Sequence, residues 1–106
     1  MPKYLISASY TAEGLKGLLK DGGSSRRSAV QKAAESVGGK VDTIYYTFGD
    51  HDVIVICDLP DNIAATSLSL TVGASGLVRT ATTPLITPEE VDAASKKSVT
   101  YRGPGA

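Results

Sequence analysis

Residues 52–59 read Asp-Val-Ile-Val-Ile-Cys-Asp-Leu, with apolar side chains at five consecutive positions from Val53 to Cys57. Successive side chains of a strand point to opposite faces of its sheet, so this segment is apolar in both directions and needs cover on both. A chain of 106 residues carries helical pattern enough to cover one face. The second cover has to come from the C-terminal tail or from another copy of the protein. An oligomer is therefore expected before any function is.

The length suits one domain, which removes roughly two-thirds of its unfolded surface from water. Lys and Arg total 11 and Asp and Glu total 11, so no net field draws in nucleic acid or an anionic membrane, and neither is expected as a partner. The single cysteine, Cys57, lies inside the apolar strand, where a small buried thiol is far commoner than a reactive one. Without a second cysteine there is no disulfide framework, and Met1-Pro2-Lys3-Tyr4 lacks the apolar core and cleavage site of a secretory signal. A cytoplasmic location is expected. The apolar runs fall far short of the ~20 residues of a membrane-spanning helix, so the protein is expected to be soluble.

Lys3 to Tyr10 alternates as a strand, with Tyr4, Ile6, Ala8 and Tyr10 opposite Leu5, Ser7 and Ser9. Thr11 is placed to cap a helix from Ala12 carrying Leu15, Leu18 and Leu19 up to Asp21-Gly22-Gly23. Ser24 or Ser25 then caps a second piece with Ala29, Val30, Ala33, Ala34 and Val37 at helical spacing, closed by Gly38-Gly39. Lys40 to Phe48 alternates again, placing Val41, Thr43, Tyr45 and Thr47 opposite Asp42, Ile44, Tyr46 and Phe48. Gly49-Asp50-His51 supplies the hairpin turn before the apolar strand.

Leu59-Pro60-Asp61-Asn62 ends that strand and caps a helix from Asn62 to Ala74. A strand competes for this stretch, because Leu68, Leu70 and Val72 alternate with Ser67, Ser69 and Thr71; the cap and the spacing of Ala64, Leu68 and Val72 favour helix. Leu77 to Leu85 is the fourth strand, with Leu77, Arg79, Ala81 and Thr83 opposite Val78, Thr80 and Thr82. Thr87-Pro88-Glu89-Glu90 starts a final helix through about Ala94, and Lys96-Lys97 suits its negative pole. The domain is thus expected over 1–95, with 96–106 as a tail. The order is a split βαβ arrangement of class α+β, with both crossover helices on one face of a four-stranded antiparallel sheet. Its open face would meet water in a monomer, and pairing two copies about a twofold axis is the simplest remedy.

Pro2-Lys3-Tyr4-Leu5, Tyr10-Thr11-Ala12-Glu13-Gly14, Gly22-Gly23-Ser24 with Arg26-Arg27, Tyr45-Tyr46 with Phe48-Gly49, Asp52, and Leu59-Pro60-Asp61-Asn62 together resemble the GYD domain family, from Pro2 to about Ala94. The family's namesake glycine, tyrosine and aspartate fall on Gly49, position 51 and Asp52. His51 stands where tyrosine is usual, so a role tied to a phenol there is not implied. The resemblance implies a ferredoxin-like fold of the dimeric α/β-barrel type, here with an extra C-terminal helix, and it implies no established activity.

Gly22-Gly23-Ser24-Ser25-Arg26-Arg27 sets free backbone N–H groups, two hydroxyls and two guanidinium groups at a helix start, where phosphate or carboxylate can be held. The plainer reading is a solvated cap whose arginines contact carboxylates or a partner subunit. His51, the only histidine, could accept a proton or bind a metal, but Asp50 and Asp52 point away from it in an extended segment, and no metal site is expected. Asp52 could instead accept from backbone amides. Tyr10, Tyr45, Tyr46 and Arg79 form the remaining candidate group, either as polar contacts of an apolar pocket or as packing and interface residues.

No nucleophile triad, paired catalytic carboxylates or dinucleotide fingerprint can be assembled, so catalytic residues are unassigned and no cofactor is expected. Three functional classes remain. The first is a homo-oligomer binding a small anionic or aromatic molecule through Arg26, Arg27, Tyr10, Tyr45, Tyr46, His51 and Arg79. The second is a cofactor-independent monooxygenase- or isomerase-like enzyme, on fold analogy alone. The third is a structural oligomer without ligand.

Overall fold

Alternating and helical periodicities become eight elements in the computed structural model, which describes residues 1–47 and 49–106. They are β1 (Lys3–Tyr10), α1 (Ala12–Asp21), α2 (Gly23–Ser36), β2 (Lys40–Tyr46), β3 (Val53–Asp58), α3 (Asn62–Ala74), β4 (Val78–Leu85) and α4 (Pro88–Ser95). Phe48, assigned above to the end of the second strand, lies outside the described residues. The strands form one antiparallel sheet in the order β2-β3-β1-β4, giving a ferredoxin-like α+β fold. No helix among the described residues is long and apolar enough to cross a membrane.

Side-chain caps set three of the helix starts. Thr11 accepts from the Gly14 amide, Asp61 accepts from the Ala64 amide at 2.8 Å, and Thr87 forms a reciprocal capping box with Glu90 behind Pro88. The Asp61 cap favours helix over strand for 62–74, since it satisfies one of the N–H groups that a helix start leaves unpaired. The second helix departs from expectation. Its N-cap is Gly22, at φ +85, with no side-chain hydrogen bond, and neither Ser24 nor Ser25 caps it. Gly22 takes a backbone conformation that serine avoids, and Ser24 and Ser25 fall inside the first turn instead.

The β2 pattern is corrected too. Val41 pairs with Cys57 and Thr43 with Ile56, so a bulge at Asp42 shifts the register. Val41 and Ile44 thereby share the helix-covered face, where strict alternation would have separated them. The extra residue also delivers the Asp42 carboxylate to Lys3, two strands away across the sheet.

Cross-strand partners define both faces. Toward the helices lie Tyr46-Val53-Ala8-Thr80, Ile44-Val55-Ile6-Thr82 and Val41-Cys57-Tyr4-Pro84. Away from them lie Tyr45-Ile54-Ser7-Ala81 and Thr43-Ile56-Leu5-Thr83. The core is Tyr4, Ala8, Val53, Val55, Cys57, Leu59 and Ala65, with Leu59 completely buried. Ile54 and Ile56 stay partly exposed on the far face, and every residue of α4 is exposed, so the chain's own tail leaves that face open. One of the two covers required by β3 is present.

The start of α1 is stitched to the approach of β4 by the Thr11 amide donating to the Leu77 carbonyl at 3.0 Å. Gly14 makes this approach possible, because a Cβ there would sit 2.1 Å from the Leu77 oxygen, whereas Gly17 faces open space. Gly14→Ala is expected to cost ~1–3 kcal/mol through overpacking, and Gly17→Ala to add up to ~1 kcal/mol by restricting the unfolded chain. Urea unfolding of the two variants checks this; equal midpoints would remove the close-approach argument.

Candidate functional site

Small side chains on two helices create the cleft that the site occupies. Helix α2 lies over β2 and α3 over β4, so the groove between them falls above the central strands. Toward it α2 presents Ala29, Val30 and Ala33, and α3 presents Leu68, Ser69 and Val72. Alanines and a serine opposite Ala8 leave a slot of about 100 Å³, walled by Ile6, Val53 and Val55. An outer cleft of about 250 Å³ adjoins it, bounded by Gly17 and Leu18 of α1 and by Ser75 and Leu77. The two cavities share Tyr10, Arg26, Val72 and Val78, which form the passage between them.

Of the polar residues that line the two cavities, Tyr10 and Arg26 stand at the passage, Ser69 and Thr80 line the slot, and Asp21 and Ser75 line the outer cleft. Arg26 sits one turn into α2 and is half-buried; Arg27 beside it points to solvent. Tyr10 closes β1, and its backbone amide donates to Asp52 Oδ2 at 2.8 Å while the Asp52 amide donates to the Ala8 carbonyl. Asp52 therefore fixes the end of β1 beneath the passage, the amide-accepting role its position allowed. Tyr46 packs its ring on Gly23 and donates its hydroxyl to the Gly23 carbonyl at 3.2 Å, which braces the start of α2 against β2. Burial first, and then the neighbouring Tyr10, push the Tyr46 phenol above its usual range, against an opposing pull from Arg26 and Arg27. The phenol stays protonated at neutral pH, which keeps its hydrogen bond to the Gly23 carbonyl.

The other candidates lie elsewhere. Tyr45 is 64% exposed on the open sheet face. Arg79 pairs with Ser9 on that same face, at the opposite edge strand, roughly 14 Å away across three strand spacings. It also borders a large shallow groove between β4 and α3. His51 is exposed in the hairpin, where its carbonyl accepts from the Thr47 hydroxyl. The tyrosine–arginine group read from the sequence is thus split by strand parity, with Tyr10 and Tyr46 on the helix side and Tyr45 and Arg79 on the other. Among the described residues no group of three His, Cys, Asp or Glu side chains could hold a metal ion.

The walls from α3, Leu68, Ser69 and Val72, entered the sequence reading only as helix-or-strand pattern and not as site residues; the i, i+4 spacing of Leu68 and Val72 also describes ordinary core. At the far end of the sheet a charge cluster was likewise missed. Lys3 Nζ lies 3.0 Å from the buried Asp58 and also pairs with Asp42, while Lys40 stands 3.9 Å from Asp58. Asp42, then Asp58, holds the Lys3 ammonium above its usual range, and Lys3 holds Asp42 below its own.

A model of the GYD domain matches residues 4–95. The chain belongs to the GYD domain family. The matched span takes in every element that lines the two clefts. No curated protein and no solved structure matches this GYD domain.

Cys57 forms part of the slot's lining, yet it is 1% exposed. Burial, reinforced by Asp58 and Asp42, pushes its thiol up to about 11. At pH 7.5 the thiolate population is then well below a thousandth, so the folded protein is expected to resist a disulfide reagent and to release one thiol equivalent in urea. Rapid labelling of the native state would contradict both the burial and the raised value.

Proposed function

We propose that this GYD domain is a homodimer that binds a small, slender molecule with an apolar body and an anionic end. The apolar body occupies the slot between α2 and α3, and the anionic end meets Arg26 and the Tyr10 hydroxyl at the passage. The observation that carries this reading is the junction of the two clefts at Tyr10 and Arg26, which sets one cation and one phenol where a mostly apolar slot opens toward an outer cleft whose rim also carries Asp21 and Ser75. Pockets that bind small molecules have this character, apolar walls with a few convergent polar groups. The slot alone is smaller than the ~300–1,000 Å³ usual for such sites, and the adjoining outer cleft brings the space to the lower end of that range.

The uncapped first turn of α2 adds to the positive potential at the passage, since its N–H groups have no side-chain acceptor. Arg27 and His51 contribute longer-range charge at most, and Tyr46 positions α2. Tyr45 and Arg79 belong to the second part of the proposal, the dimer. Pairing through the open face would cover Leu5, Ile54 and Ile56 in the manner of a dimeric α/β barrel. A buried, inert thiol accords with a reducing, cytoplasmic setting.

Short straight-chain and aryl carboxylates, tested beside the matching alcohols by thermal shift, probe the reading. A carboxylate is expected to raise Tm and its alcohol to do so less. Arg26→Ala is expected to weaken that carboxylate at least tenfold, with Arg27→Ala changing it less than threefold, since loss of a charge-assisted pair is worth ~1.5–3 kcal/mol. Ala33→Leu, which fills the slot, should abolish binding while the fold survives. Equal affinity in wild type and Arg26→Ala would sink the assignment.

A further inference from the structure

The C-terminal segment Ile86–Tyr101 is exposed throughout. All eight residues of α4 are exposed, as are Ile86, Val91, Val99 and Tyr101, at 61%, 54%, 78% and 76%. The molecule measures 56 × 33 × 23 Å with a radius of gyration of 16.9 Å, against ~13 Å for a compact chain of this length. The excess is the projecting arm. A helix of eight residues does not hold itself together in water, because its nucleation cost is not recovered over two turns. This one nevertheless carries a capping box, a proline at its first turn and two acidic residues there. Such terminal signals specify a helix whose stability has to come from packing on something.

Helix α4 leaves its own sheet face uncovered. Only Ile86 and Thr87 link β4 to α4, and Thr87 is extended (φ −75, ψ 157) and locked in the capping box. The chain continues past the end of the sheet, and no residue of α4 is buried against it. The same molecule carries an apolar face that lacks cover, centred on Leu5, Ile54 and Ile56.

We propose that Ile86–Tyr101 is an exchanged arm, which packs Ile86, Val91 and Tyr101 against the open sheet side of a second copy of this chain and receives that copy's arm in return. The inference rests on the homodimer reading above and specifies how that dimer is held. Area supports it. A four-stranded face about 19 Å wide and 20–26 Å long offers roughly 400–500 Å² in plan, about half of the ~800 Å² per partner in a stable interface. The two arms supply the difference. Charge agrees with it, since Glu89, Glu90 and Asp92 crowd the start of α4, and Arg79, on the edge strand between the open face and the β4–α3 groove, has no ion pair among the described residues.

Sedimentation equilibrium of the full chain, together with a Val91→Asp/Tyr101→Asp variant, reads this directly. Both positions are exposed, so the variant is expected to keep its far-ultraviolet spectrum and its protected Cys57 while its dimer dissociation constant rises at least tenfold. As a second measurement, a photo-crosslinking amino acid at position 91, in an otherwise unaltered chain mixed with isotope-labelled chain, is expected to give crosslinks between labelled and unlabelled copies. A wild-type monomer at micromolar concentration would overturn the dimer and the arm together. A dimer equally tight in the variant, or crosslinks confined to one copy, would overturn the arm and leave the dimer standing.

Discussion

The central strand β3 turns apolar side chains to both faces of the sheet, and helices meet only one of them. On that side Val53, Val55 and Cys57 are buried beneath α2 and α3, while Ile54 and Ile56 on the other are shielded only by their sheet neighbours. Full burial of a branched aliphatic side chain is worth ~1.5–3 kcal/mol, so the half-covered isoleucines hold back part of the stability that this strand could contribute. An edge strand would not face the same demand. β3 faces it because β2 and β1 flank it and make it part of the interior of the sheet.

The helix layer is itself loosely filled, and the cleft is a consequence of that. Ala29 and Ala33 on α2 and Ser69 on α3 are too small to meet across the groove, which a helix of leucines and isoleucines would have closed. An apolar void forgoes dispersion contacts on its walls, a cost that a larger side chain recovers only where it fits without strain. The polar groups of the site are held from outside it. Asp52 anchors Tyr10 through the backbone, and Tyr46 anchors the first turn of α2, so the passage is framed by hydrogen bonds that do not themselves enter the cavity.

Element identities were legible where a local signal and a periodicity agreed. Asp61, Thr11 and Thr87 each cap the helix their position announces, and the bounds of β1 and α3 coincide with the residues where alternation and cap begin and end. Misreadings arose where one residue changed the count or the conformation. The bulge at Asp42 reverses the parity of everything before it in β2, and nothing in Lys40-Val41-Asp42-Thr43 marks it, because its partner is Lys3 in a strand distant in sequence. Gly22 displaced Ser24 and Ser25 as the cap for a similar reason, since a positive φ admits glycine ahead of a better hydrogen-bonding side chain. Of the candidate site, Arg26 and Tyr10 came together at the passage, whereas Tyr45 and Arg79 fell on the far face.

Local chemistry along the chain determined the elements, their order, the ferredoxin-like class and the excess of apolar surface on β3, because caps, turns and side-chain periods act within a few residues of one another. Only the tertiary structure decided that α2 and α3 stand apart over opposite edges of the sheet, that the clefts meet at Tyr10 and Arg26, and that the C-terminal helix leaves the body instead of covering it. Those outcomes depend on pairings between residues tens of positions apart, where register and packing are settled jointly and no short segment carries the information.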